Sequence, residues 1–270
     1  MKTEMAESTS INRIIIGVDT SLQSLDLLEF AAKLAARRHI ELAVLFIEDA
    51  NLINFAALPF AREIDLISAA DRELDHLQMM RTMQTQAQKM SRLLERLASQ
   101  LKVNYSFKVL RGDCIAEVLS ASLETDVLFF SKRVGRYRKL RWERPRRVAR
   151  PRAPAAVPHK TFCVMYDGSP GSDRALAVAR ELALAAGKEL LVLLRVDERE
   201  DAGRLREQAA SITGSQDTRV HYTVITDENS SLDRALHQRQ CEILILHKGD
   251  GEQLKGSLLE EAECPVVLVQ

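Results

Sequence analysis

Residues 14–48 read IIIGVDTSLQSLDLLEFAAKLAARRHIELAVLFIE, and residues 162–196 read FCVMYDGSPGSDRALAVARELALAAGKELLVLLRV. The two align without a gap, with Asp19 on Asp167, Ser21 on Ser169, Ser24 on Ser172, Ala31 on Ala179 and Glu41 on Glu189, all at an offset of 148. That period is far longer than a solenoid unit, so it marks two copies of a whole domain. Each copy opens on consecutive apolar residues, Ile14 to Val18 or Phe162 to Tyr166, and the run closes on a carboxylate. An apolar run that does not alternate is what a parallel strand covered on both faces requires. Leu27, Phe30, Ala31, Leu34 and Ala35 then keep helical spacing, as do Leu176, Ala179, Leu182 and Ala183. Second strands follow at Leu42–Ile47 and Leu190–Val196, which makes each stretch a right-handed parallel crossover.

The pattern continues along both copies. Third strands are expected at Val103–Leu110 and Val220–Ile225, helices at Ile115–Leu123 and Ser231–Gln238, and fourth strands at Val127–Ser131 and Ile243–His247. The second copy closes with a helix at Leu258–Glu263 and a fifth strand after Cys264. We expect domains over 1–158 and 159–270, a division that suits a chain of 270 residues with 46% hydrophobic content.

The copies differ in two places. The first carries an insertion, about residues 62–101, with apolar residues from Ile64 to Leu101 mostly three or four apart. It reads as one long amphipathic helix or a helical pair, since an unbroken run would span about 57 Å. Its methionines, Met79, Met80, Met83 and Met90, read as gap fillers in a core or as an adaptable binding face. The second difference is residues 132–152, KRVGRYRKLRWERPRRVARPR, with eleven Lys or Arg against one Glu in a chain whose formal net charge is zero. Its prolines oppose a regular helix, so the first copy's fifth strand is expected to be degenerate. Lys132, Arg133, Arg136, Arg138, Lys139, Arg141, Arg144, Arg146 and Arg147 are candidate contacts for nucleic acid or another anionic partner, with Tyr137 and Trp142 able to stack on bases. The same segment reads equally as a solvated linker, or as a source of arginines that fold back onto phosphate.

The cysteines, Cys114, Cys163, Cys241 and Cys264, are scattered without metal-ligand spacing and read as reduced thiols in or near the core. The six histidines stand beside no nucleophile motif, and neither HExxH nor a P-loop occurs, so no catalytic residue and no metal ligand is assigned. No apolar stretch is long enough to span a membrane, and the N-terminus lacks a signal core, so a cytoplasmic location is expected.

The strand ends VDTS and YDGS, the turn Arg111-Gly-Asp, and the close Gly256-Ser-Leu-Leu-Glu-Glu-Ala-Glu-Cys-Pro-Val-Val-Leu-Val resemble the universal stress protein family over nearly the whole chain. The resemblance implies an α/β architecture of two tandem doubly wound domains, Rossmann-like and of the HUP type. Each would be a five-stranded parallel sheet of order 3-2-1-4-5 with helices on both faces. Some members bind ATP, and in an open parallel sheet a nucleotide sits beyond the strands' carboxyl ends at the switch in strand order. Carried over, the candidate nucleotide-binding residues are Asp167, Gly168, Ser169, Lys248, Gly249, Gly251, Gly256 and Ser257 in the second copy, with Asp19, Ser21, Gly112 and Asp113 in the first. Both sets depart from the family's glycine loop. The second copy keeps four residues between Gly251 and Gly256 where the family has a longer spacer, and Asp250 and Glu252 repel phosphate. The first copy has only Gly135 among arginines.

For Asp19 and Asp167 the readings are adenosine recognition or a helix-capping carboxylate, and for Ser257 a phosphate ligand or an N-cap. The expectation is a stress-response binding or regulatory protein without catalysis and with degenerate nucleotide sites. One alternative is an ATP-responsive switch working through the second domain, which makes ATP with Mg the cofactor to test. The other is an anionic-partner binder using the basic segment. Protein partners or self-association are expected, as an internal pairing of the domains or a homodimer.

Overall fold

The computed structural model describes residues 11–18, 22–64, 71–73, 75–112, 114–123, 126–131, 161–196, 201–214, 219–225, 232, 235–236, 239–249 and 264–270. Two compact units emerge, one of Ile11–Val134 and one that holds the described residues from 161 onward.

In the first unit the order is β1 (Arg13–Val18), α1 (Leu22–Arg38), β2 (Glu41–Asp49), α2 (Ala50–Ala56), β3 (Arg62–Ile64), β4 (Asp71–Glu73), α3 (His76–Leu101), β5 (Tyr105–Gly112), α4 (Cys114–Ser120) and β6 (Asp126–Phe130). Strands β5, β2, β1 and β6 lie side by side, all parallel. The central strand β1 is buried from Ile14 to Val18, because α1 and α4 both pack on it. Register across β1 and β6 is fixed at its first step, where Arg13 faces Asp126. The Arg13 Nη2 donates to the Asp126 carboxylate at 2.6 Å, and the same carboxylate accepts the Leu123 N–H at 2.7 Å. A fifth strand for this unit falls outside the described residues.

The insertion differs from its expected form. Residues 62–64 and 71–73 are not helical but pair as an antiparallel ribbon, whose register sets a basic residue opposite an acidic one at Arg62 with Glu73 and at Glu63 with Arg72. Helix α3 therefore spans 26 residues, about 39 Å. Asp75 starts it, with extended backbone and a carboxylate that accepts the Leu77 N–H at 2.9 Å, as an N-cap does. Met83, Ala87, Met90, Leu94 and Ala98 form its buried stripe. Met83 and Met90 thus fill the core, whereas Met79 and Met80 are half-exposed.

The second unit runs β7 (Thr161–Tyr166), α5 (Pro170–Ala186), β8 (Glu189–Arg195), α6 (Asp201–Thr213), β9 (Val220–Ile225), β10 (Cys241–His247) and β11 (Val266–Val269). Its strands lie in the order β9, β8, β7, β10, β11, all parallel, which is the doubly wound order 3-2-1-4-5. Every residue of β7 is buried. Helix α6 was not assigned from the sequence. Of the helix expected at 231–238, residues 232, 235 and 236 are helical, and the helix expected at 258–263 lies outside the described residues. Among the described residues no helix is long and apolar enough to cross a membrane.

Replacing Asp126, which is 1% exposed, with Ala leaves Arg13 without its carboxylate and the Leu123 N–H without an acceptor. Because Arg13 keeps 27% of its side chain in water, we expect a loss of about 3 kcal/mol, the low end for breaking a buried charge pair. The urea midpoint measures it, and a further Arg13→Leu change should recover part of the loss.

Candidate functional site

In a doubly wound sheet the crevice lies at the carboxyl ends of the first and fourth strands, where the strand order reverses. In the second unit these are β7 and β10, and the loop after β7 is built from Asp167, Gly168 and Ser169. Gly168 has φ +81, and a Cβ there would also meet Leu205 of α6, so only glycine fits. Ser169 is the N-cap of α5, with its hydroxyl accepting the Ser172 N–H at 3.2 Å. The Asp167 carboxylate accepts the Ser169 N–H at 2.9 Å. Burial pushes the Asp167 carboxyl up, but hydrogen bonds from Ser169 and Ser172 and the pull of His247 outweigh it and hold it below the usual carboxylate range. This carboxylate therefore serves the turn into α5.

Four further residues shape the crevice. The Tyr166 hydroxyl donates to Asp173 at 2.6 Å. Gln208 of α6 bridges the turn, giving its amide to the Gly168 carbonyl at 3.2 Å and to Asp173 at 3.3 Å. Burial first, and then the Asp173 hydrogen bond, push the Tyr166 phenol far above its ordinary range. The fourth is His247, the last residue of β10. Its ring lies where a Cβ on Gly171 or on Gly249 would have to sit, and the Gly249 N–H points at it, 3.2 Å from Nε2. Lys248 turns away, donating to Gln270 at 3.0 Å.

Of the residues expected in this site, Asp167, Gly168, Ser169 and Gly249 gather at the crevice and Lys248 faces Gln270. Gly251, Gly256 and Ser257 lie outside the described residues. In the first unit Asp19, Ser21 and Asp113 also lie outside them. Gly112 ends β5, tight against the Glu117 side chain. Ser131, just after β6, is 5% exposed, and its hydroxyl makes no hydrogen bond. The whole set from Lys132 to Arg147 lies outside the described residues.

The polar set around Tyr166 was missed by sequence reasoning, and the internal alignment holds its signal. At the shared offset of 148, Tyr166 falls on Val18 and Asp173 on Leu25, so a bonded pair in one copy replaces an apolar pair in the other. Among the described residues the His247 ring lies against both Gly171 and Gly249.

Among the described residues no group of three or more His, Cys, Asp and Glu could hold a metal ion. Among the described residues Cys163, Cys241 and Cys264 form no disulfide, with the Cys264 and Cys241 sulfurs 3.5 Å apart. Hydrogen bonding with Cys163 and Cys264, and then burial, raise the Cys241 thiol well above its ordinary value, away from a reactive thiolate.

Residues 10–127 match the model of the universal stress protein family. No curated protein sequence matches the chain. Among solved structures, a universal stress protein from Archaeoglobus fulgidus DSM 4304 is similar at 14% identity and TM-score 0.54, with 97% of each chain covered. A putative universal stress protein from Pseudomonas aeruginosa UCBPP-PA14 is 13% identical with TM-score 0.48, over 97% of this chain and 94% of that one. A universal stress protein in complex with cAMP is 20% identical with TM-score 0.35, over 42% of this chain and 97% of that one.

Two outcomes test this geometry. Gly171→Ala should lack the gain of about 0.5–1 kcal/mol that Gly to Ala usually brings inside a helix, because its Cβ meets the His247 ring. In a His247→Gly background the gain should return, as a double-mutant cycle of urea midpoints reads directly. For Asp167, a carboxyl held below its ordinary value stabilises the fold above about pH 4 and loses that contribution as pH falls through the lowered value. Asp167→Asn should therefore be less stable than the parent at pH 7, and the difference should shrink as pH falls below the ordinary carboxylate range.

Proposed function

We propose that this chain, whose residues 10–127 match the universal stress protein family, is a stress-response protein that regulates by binding macromolecular partners and not by catalysis. The observation that supports this reading is the His247 ring packed against Gly171 and Gly249, at the carboxyl end of β10. The neighbouring groups are satisfied by the protein itself. Asp167 holds the Ser169 N–H, and Tyr166, Asp173 and Gln208 are bonded to one another. Groups so paired offer a nucleotide little that water does not, since each would have to be unmade first.

A second reading, an adenine-nucleotide switch, is favoured by one observation in the other copy. The buried Ser131 hydroxyl lacks a partner, and an unsatisfied buried polar group costs about 1–3 kcal/mol until something bonds it. The cAMP of the related structure makes a cyclic nucleotide worth including in the test. The basic residues from Lys132 to Arg147 remain the proposed contact for an anionic partner, with an affinity that should fall steeply with salt.

Thermal unfolding with and without millimolar Mg-ATP or cAMP separates these readings. We expect an unchanged midpoint. A ligand at a hundred times its dissociation constant adds about 2.7 kcal/mol, so a rise of several degrees that disappears in Ser131→Ala would establish the switch instead.

A further inference from the structure

The first unit holds a cavity that the fold does not need. It lies between α1, β2 and α3 and has a volume of about 510 Å³, within the usual size range of small-molecule sites. Leu25, Phe46 and Leu93 give it an apolar lining, and Lys89, Arg92 and Arg96 bring three cations to the same cavity. At the internal offset, Leu25 stands where the second copy has Asp173, so the apolar lining belongs to this copy alone.

The three cations are a cost to the helix that bears them. Lys89 and Arg92 are three residues apart and Arg92 and Arg96 four, spacings at which like charges repel. Elsewhere in the unit, Arg13, Lys33 and Arg111 each pair with a carboxylate. Among the described residues Lys89, Arg92 and Arg96 form no ion pair, and Glu95, the one acid of α3, does not line the cavity. Arg96 donates to the Arg92 carbonyl at 3.3 Å, which uses one of its five N–H groups and leaves the others available.

We propose that this cavity binds an amphipathic anion, with an aliphatic body against Leu25, Phe46 and Leu93 and a carboxylate or phosphate head on Lys89, Arg92 and Arg96. Both heads present oxygens that an arginine fork bonds in pairs, and neither an uncharged nor a cationic amphiphile would relieve the repulsion along α3. The argument for this site uses neither the His247 packing nor the Ser131 hydroxyl, so it stands or falls independently of the regulatory reading above.

The test is calorimetric titration of the full chain with decanoate, decyl phosphate and decanol, each below its micelle concentration. Amide NMR shifts locate the binding. Saturable binding of either anion, with shifts centred on Phe46 and Leu93, is expected; whichever anion binds tighter identifies the head. The Lys89→Gln, Arg92→Gln double variant, altered only at exposed positions, should weaken the anion roughly tenfold or more, and Arg81→Gln on the same helix should leave it unchanged. Decanol binding as tightly as the anions, equal affinity in the double variant, or shifts centred elsewhere would each overturn the proposal.

Discussion

Each unit is organised by the requirement that its first strand be covered on both faces. A parallel strand cannot be half-wet, because the crossover that brings the chain back to the next parallel strand lays a helix on the sheet. With β1 and β7 buried from within a residue of one end to the other, their neighbours and helices follow in turn. The strand ends are the places helices do not cover, and in a doubly wound sheet the crevice lies at the carboxyl ends. In the second unit the bonded polar groups accordingly gather just past Tyr166.

The divergence of the two copies is specific. In the second copy the described groups at the strand ends bond to one another: a histidine ring lies against two glycines, a carboxylate holds a turn, and a tyrosine, aspartate and glutamine are bonded together. In the first copy Val18 and Leu25 replace the tyrosine and aspartate, and an unbonded serine hydroxyl stands where β6 ends. The cations of α3 add a third kind of surface, on a helix whose buried stripe and charged flank follow from the same spacing.

The strands and their pairing were legible because apolar runs at one offset recur in both halves, and a repeat filters accident from signal. Asp167 and Ser169 were legible for the same reason, and the Asp167 carboxylate accepts the Ser169 N–H in the turn. Helix α6 was not, because Asp201–Thr213 mixes charged residues with short apolar ones and gives a weak stripe. Gln208, which it brings to the crevice, lies 40 residues from Gly168, a contact no local pattern encodes. Residues 62–64 and 71–73 read as helix because the apolar residues around them keep helical spacing, whereas their backbones pair as an antiparallel ribbon ahead of the Asp75 cap.

That ribbon has an engineering consequence. It contributes no strand to the parallel sheet, so its length is uncoupled from the register of every other strand. Lengthening such a connection costs only loop-closure entropy, about 0.6 kcal/mol for each doubling. The segment between α2 and α3 is therefore where this fold can accept a reporter or an affinity tag while its core is left as it stands.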